Sequence, residues 1–302
     1  MDIKIIDQYI SDRAAIYNAD TVEAIKMFSD DSIDMMIYSP PFSSLYTYSN
    51  SDRDLGNSKT DEEFFTHFDF IVKDMYRILK PGRIMAVHCM NLPTTKERDG
   101  YIGIRDFRGQ LIRQFESSGF IYHSEVCIWK NPVTAMQRTK ALGLLHKQLK
   151  KDSCQSRMGL PDYVVFMRKP GENPDRVTHT NESFPVSEWQ DYASPVWSEV
   201  NSPVWWEINQ SDTLNSNIVM DTESERHICP LQLPVIERCI RLYSNPGDVI
   251  FTPFLGIGSE VYQAILMGRK GIGIELKPAY FNSAKQNIMS AEALSGQTSL
   301  FD

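Results

Sequence analysis

Hydrophobic and polar positions follow two periods along the chain. Short apolar runs at Ile16–Asp20, Asp34–Tyr38, Arg83–His88, Phe120–Trp129, Asp162–Arg168, Asp248–Phe251 and Gly271–Glu275 predict strands. Between them, apolar residues recur at helical spacing. In Thr60–Leu79 the residues Phe64, Phe65, Phe68, Ile71, Val72, Met75, Ile78 and Leu79 repeat with that period, and Thr60 and Glu63 are spaced as a capping box. Further helices are predicted over Val22–Phe28 with Thr21 as cap, Phe107–Ser118 closed by Gly119, Leu142–Lys151, Leu231–Tyr243 and Glu260–Met267. Polar stretches at Ser43–Lys59 and Asn91–Gly103 predict loops. Strands alternating with helices imply an α/β chain on a mainly parallel sheet.

Two strand ends carry chemistry. The run Asp34–Tyr38 leads into Ser39-Pro40-Pro41-Phe42, and two prolines cannot extend a ladder, so the chain leaves the sheet there. A hydroxyl, backbone carbonyls and an aromatic ring are thereby gathered at the carboxyl end of a strand, where open α/β sheets bind ligands. A flat ring bearing an amino group suits them. Ser39 Oγ and the Pro40 carbonyl can accept hydrogen bonds from the NH2 group, and Phe42 can stack on the ring.

The second end is Thr252-Pro253-Phe254-Leu255-Gly256-Ile257-Gly258-Ser259. Strand, glycine turn, helix and a strand ending at Glu275 form the mononucleotide-binding half of a doubly wound sheet. Gly256 and Gly258 let the backbone approach a ligand, and Glu275 is placed to accept hydrogen bonds from ribose hydroxyls. A dinucleotide fingerprint would want a third glycine where Val261 stands, and the turn lacks the Gly-Lys-Ser/Thr ending of a phosphate loop. The pattern fits an adenosine ligand without phosphates; S-adenosylmethionine is such a ligand.

Composition changes the picture mainly through charge. The net charge of the 302 residues is −8, yet it is polarised. Lys130–Pro170 holds nine basic residues against two acidic ones, whereas Gly171–Glu225 holds eleven acidic residues against Arg176 alone. The basic block is where phosphate contacts are expected, with Arg138, Lys140, Lys147 and Lys151 as candidates; a solvated helix face is the alternative. The acidic stretch contains Trp189, Trp197, Trp205 and Trp206, expected to pack a small subdomain rather than stack on bases. The region 133–225 is therefore read as an inserted recognition or DNA-binding region, with a lower edge left open because the Asp162 strand can rejoin the main sheet. It separates a catalytic part, 1–132, from a cofactor-binding part, 226–302. Cys89, Cys127, Cys154, Cys229 and Cys239 are scattered and read as reduced thiols rather than a metal site. No apolar run reaches membrane-spanning length and the N-terminus lacks a signal-peptide core, so a cytoplasmic protein is expected.

Ser39-Pro40-Pro41-Phe42 and Phe254-Leu255-Gly256-Ile257-Gly258 together make the chain resemble the DNA amino-methyltransferases. In that family the first motif is catalytic and the second binds S-adenosylmethionine. Their order, with a recognition region between, resembles the β class, and in general style the sequence resembles phage and prophage methylases. The resemblance implies a circularly permuted, doubly wound Rossmann-like fold. It also implies methyl transfer to the exocyclic amino group of a flipped base in double-stranded DNA. It assigns Asp20 to the cofactor adenine, Glu275 to the ribose, and His227 and Pro230 to the flank of the methionine moiety. Pro253, Phe254, Gly256, Gly258 and Ser259 belong to the cofactor turn. Thr252 departs from the family's usual Asp, and the His-Pro pair is stretched to His227-Ile228-Cys229-Pro230. Ser at the first motif position leans slightly to cytosine N4 within the family; adenine N6 stays open, since both bases present the same NH2 donor. A non-catalytic nucleic-acid-binding subunit is the further alternative. Relatives with Asn-Pro-Pro-Tyr motifs that act on protein or RNA place the cofactor motif first, opposite to this chain. Family members are often dimers, and some have a restriction endonuclease partner; neither can be read from these residues.

Overall fold

The computed structural model describes residues 3–41, 58, 60–133, 136, 142–197, 212–214 and 230–298. Its strands are β1 (Ile5–Ile10), β2 (Ala14–Ala19), β3 (Met35–Tyr38), β4 (Ile84–Cys89), β5 (Leu92–Pro93), β6 (Ile104–Arg105), β7 (Ile121–Ile128), β8 (Asp162–Arg168), β9 (Val196–Trp197), β10 (Val249–Thr252) and β11 (Lys270–Glu275). Nine of them form one sheet in the order β1-β2-β11-β10-β3-β4-β8-β7-β9, and β5 pairs with β6 separately. From β2 to β4 neighbouring strands are parallel. β8 is antiparallel to both β4 and β7, and β1 is antiparallel to β2.

The side-chain alternation of β3 shows how the layers form. Met36 and Tyr38 enter one core, where the helix Asp61–Ile78 contributes Phe64, Phe68, Ile71, Val72 and Met75. Met35 and Ile37 enter the opposite core, against Val235, Ile236, Cys239 and Ile240 of the helix Leu233–Tyr243. A strand buried on both faces reads as a continuous apolar run, as this one does. Thr60 caps the helix as expected, its hydroxyl accepting from the Glu63 amide at 3.1 Å. A third core joins Ile16 to Val261 and Ile265 of the helix Ser259–Leu266 and to Phe281, Ala284 and Ile288 of Pro278–Thr298.

At the amino ends of the central strands, Arg83 is 1% exposed and binds Asp34 at 3.1 Å and Asp248 at 2.9 Å, while Lys80 binds Asp34 at 2.6 Å. These ion pairs tie the starts of β3, β4 and β10 together. The opposite, carboxyl, edge is left for ligands. There β10 runs through its helix to β11 on one side, while β3 runs through Asp61–Ile78 to β4 on the other. The topological switch point, where such sheets open a crevice, therefore lies between β10 and β3.

Several expectations change. Asp20, not Thr21, caps the first helix, accepting from the Val22 amide at 2.9 Å. That helix spans Thr21–Ala24 and tightens into a 3-10 turn at Ile25–Met27 instead of continuing to Phe28. Leu142–Lys151 is broken into a 3-10 turn, Leu142–Leu144, and a short helix, His146–Lys151. The Asp162 strand lies between β4 and β7 in the main sheet, the outcome allowed for by the open edge of 133–225. Trp189 is 53% exposed on the helix Val186–Tyr192 rather than packed. The apolar pattern foreshadows neither β1 nor the helix Pro278–Thr298.

Candidate active site

The prolines of Ser39-Pro40-Pro41 end β3 where the switch-point crevice begins. Pro40 is buried; Ser39 and Pro41 are partly exposed. Phe42 and His227 lie outside the described residues. The turn after β10 reaches the same edge, because β10 pairs in parallel with β3, Ile250 opposite Met35 and Phe251 opposite Met36. The ring of Tyr38, the residue just before the first motif, meets that of Phe254 in the second at 5.8 Å between centroids. Two strand ends more than two hundred residues apart in sequence are thus brought together at one edge of the sheet.

The glycine turn has two kinds of glycine. Gly256 has φ +55° and a Cβ added there would meet nothing within 4 Å; Gly258 has φ +91° and its Cβ would lie 3.2 Å from Ala284 Cα. Gly256 faces open space and Gly258 a neighbouring helix. The Gly256 amide donates to Glu275 Oε2 at 2.8 Å, and Glu275 Oε1 accepts from the Lys277 amide at 2.8 Å. Glu275 therefore holds the turn against the end of β11. Asn18 fixes the same strand end, donating through Nδ2 to the Glu275 carbonyl at 2.7 Å and to that of Leu276 at 3.0 Å. Thr21 Oγ1 donates to the Pro253 carbonyl at 2.7 Å, which brings Asp20 and the turn side by side. Pro230 is partly exposed just before the helix Leu233–Tyr243.

These residues fit an adenosine-type ligand. The open cradle at Gly256 has no side chain to fill it. Two buried hydroxyls bracketing the turn, Thr252 Oγ1 and Ser259 Oγ, have no hydrogen-bond partner among the described residues, and buried polar atoms ordinarily find one. Glu260, which follows, is 5% exposed, and burial pushes its carboxyl up to about 8.

Behind Ser39 stands a chain of polar groups that sequence reasoning missed. Ser39 Oγ lies 2.9 Å from His88 Nδ1, and His88 Nε2 lies 3.0 Å from Asp162 Oδ2. Lys130 pairs with the same carboxylate oxygen. Burial opposes ionisation of Asp162, but Lys130 and His88 outweigh it and hold the carboxyl at about 2. Lys130 thus belongs to this corner, although in sequence it opens the basic block expected to face phosphates. A buried histidine at the end of the apolar run Arg83–His88 is the only hint the sequence offers. Among the phosphate-contact candidates, Lys147 and Lys151 are exposed on His146–Lys151, and Arg138 and Lys140 lie outside the described residues. No group of three or more potential metal ligands occurs among the described residues, and no described helix is long and apolar enough to cross a membrane.

The fold is that of DNA methyltransferases. PvuII DNA methyltransferase, a cytosine-N4-specific enzyme, superimposes with a TM-score of 0.63 at 16% identity, covering 97% of this chain and 96% of that one. The putative DNA modification methylase TTHA0409 of Thermus thermophilus, complexed with S-adenosyl-L-methionine, does so with a TM-score of 0.63 at 19% identity, covering 90% and 93%. Residues 33–286 match the profile of the DNA methylase family that groups N6- and N4-methyltransferases, and the chain belongs to that family. Among its relatives, Type II methyltransferase M.BamHI of Bacillus amyloliquefaciens is 23% identical over 279 residues, 89% of this chain and 56% of that protein. M.BglII of Bacillus subtilis is 24% identical, over 92% of this chain and 69% of that protein. The chain thus spans little more than half the length of M.BamHI.

Proposed function

We propose that the chain transfers a methyl group from S-adenosylmethionine to the exocyclic amino group of a base in double-stranded DNA. The observation that supports this reading is the parallel pairing of β3 with β10 and the Tyr38–Phe254 ring contact, which bring the strand end leading into Ser39 and the start of the glycine turn to the same edge of the sheet. The cradle, with Thr252, Ser259, Glu275 and Asp20 around it, would hold the cofactor. When bound, S-adenosylmethionine supplies an electrophilic methyl group on a sulfonium sulfur.

The chain's own residues supply orientation. A base in duplex DNA cannot reach a crevice of this kind without leaving the stack, which costs a few kcal/mol. Ser39 Oγ and the Pro40 carbonyl accept from the two amine hydrogens and turn the nitrogen lone pair toward the cofactor side of the crevice. This is catalysis by positioning, and it requires no covalent bond to the protein. The exposed Lys147 and Lys151 are assigned to the DNA backbone.

The test is direct. Unmethylated duplex DNA is incubated with the protein and methyl-labelled S-adenosylmethionine, digested to nucleosides and read by mass spectrometry, with Ser39→Ala as control. N4-methylcytosine is the expected product, on the lean that Ser39 gives; N6-methyladenine would keep the mechanism and move the target base. Cofactor binding without any methylated base would leave the non-catalytic reading standing.

A further inference from the structure

A serine hydroxyl has one hydrogen and two lone pairs, so Ser39 can face an incoming amine as donor or as acceptor. Only the acceptor form helps, because the amine itself brings hydrogens. The groups behind Ser39 decide which form is present. Asp162 is 1% exposed and shares one oxygen between Lys130 and His88. Ionised, it can only accept, so the hydrogen between it and His88 must sit on Nε2. In the neutral ring Nδ1 is then a bare acceptor, 2.9 Å from Ser39 Oγ. Ser39 must point its hydrogen at the ring, which leaves both lone pairs for the crevice.

We propose that His88 and Asp162 form a positioning relay that makes Ser39 an acceptor for the target amine and then takes up the proton the methylated amine releases. The proposal rests on the methyltransferase reading and names the proton's route within it. The methylated nitrogen carries one positive charge. One of its N–H bonds breaks and the proton passes to Ser39 Oγ, while the original hydrogen of Ser39 passes to His88 Nδ1. The imidazolium so formed faces the Asp162 carboxylate, and its proton leaves to solvent when product departs. No oxidant or other reactant is needed.

The surroundings of His88 are consistent with this role. On β4 it is flanked by β3, which ends in Ser39, and by β8, where Val164 is its register partner and Asp162 begins the strand. Lys130 follows β7. The other charged groups of this corner are Arg108, Glu125 and Asp106, felt by the adjacent Cys89. Arg108 and Glu125 pair with each other at 2.8 Å, and Arg108 covers the Tyr163 ring at 4.2 Å. Lys130 and His88 share the same Asp162 carboxylate oxygen.

The relay is tested first without turnover. Nitrogen-15 NMR of the histidine-labelled wild-type protein should show His88 as the Nε2–H tautomer, and an Nδ1–H tautomer at neutral pH would overturn the proposal. Single-turnover methylation of duplex DNA is then followed against pH for wild type, His88→Gln and Asp162→Asn, with S-adenosylmethionine affinity measured by calorimetry. The expected result is an acid limb in wild type that flattens in His88→Gln, with a rate loss of roughly 10²-fold or more and cofactor affinity unchanged. A His88→Gln variant with the wild-type rate and the same acid limb would refute the relay while leaving methyl transfer intact. Absence of methylation by the wild-type protein would sink both readings together.

Discussion

The two glycines of the cofactor turn should fail in different ways when each is changed to alanine. Both have φ in the left-handed region, where a Cβ costs about 1–2 kcal/mol. For Gly256 that is the whole expected cost in the unliganded protein, because its Cβ would meet nothing within 4 Å. For Gly258 a contact of 3.2 Å with both Ala284 Cα and Cβ is added, and crowding between packed helices brings the total to roughly 2–4 kcal/mol. Ligand binding should reverse the ranking. At a hundred times the wild-type Kd, S-adenosylmethionine stabilises the protein by about 2.7 kcal/mol. A Cβ inside the cradle that weakens binding tenfold cuts this to about 1.4 kcal/mol, and a hundredfold loss cuts it to about 0.4 kcal/mol. Urea unfolding with and without the cofactor measures both quantities on the same samples. Gly256→Ala with a full cofactor-induced gain would show that the open space at Gly256 is not where the ligand lies.

Other predictions concern charge. Arg83→Met should destabilise by roughly 3–5 kcal/mol, since it takes the buried partner from Asp248 and leaves Asp34 with Lys80 as its remaining cation; a loss under about 1 kcal/mol in urea unfolding would contradict the assigned burial. Glu260, with its carboxyl pushed by burial from 4.5 to about 8, keeps its proton in the folded state while the unfolded chain releases it. Stability from this group is therefore fully present below pH 4.5 and lost as pH rises through 8. Glu260→Gln should flatten that slope and add up to roughly 5 kcal/mol above pH 8, and an unchanged pH profile would refute it. Replacing Lys147 and Lys151 together by glutamine should make the plot of log K against log salt for DNA binding shallower by roughly 1.8; an unchanged slope would leave both on a merely solvated face.

Much of the fold was legible because central strands such as β3 and β4 are buried on both faces and read as unbroken or nearly unbroken apolar runs. Asp162–Arg168 was placed to the residue, and Thr60 and Glu63 marked the start of the longest early helix. Short-range competition was not legible. Thr21 and Asp20 are both capping residues, and which one caps depends on the Pro253 carbonyl, which takes the Thr21 hydroxyl from 232 residues away. β1 escaped because an exposed edge strand shows little apolar pattern, with only Tyr9 partly buried along it. His88 escaped because a single polar residue in a buried strand looks like an interruption until its partners on β3 and β8 are known.

Val261 illustrates how a missing motif residue can be accounted for elsewhere in the fold. The third glycine of a dinucleotide fingerprint serves close packing of the helix on its strand. Here the small residue sits on the strand instead: a Cβ at Gly271 would fall 2.5 Å from Val261 Cγ1, so Gly271 provides the clearance and Val261 fills it. Close approach is preserved while the requirement moves from helix to strand. The residues that touch a ligand are not interchangeable in this way, and Gly256, with open space before it, has no such substitute. The absence of a glycine at position 261 therefore bears on packing, while in the proposed function the ligand would be met by the hydroxyls of Thr252 and Ser259, the carboxylate of Glu275 and the Ser39 hydroxyl. Under the proposed reading those groups would offer hydrogen bonds to sugar and amine and no positive charge to a pyrophosphate, as a nucleoside cofactor requires.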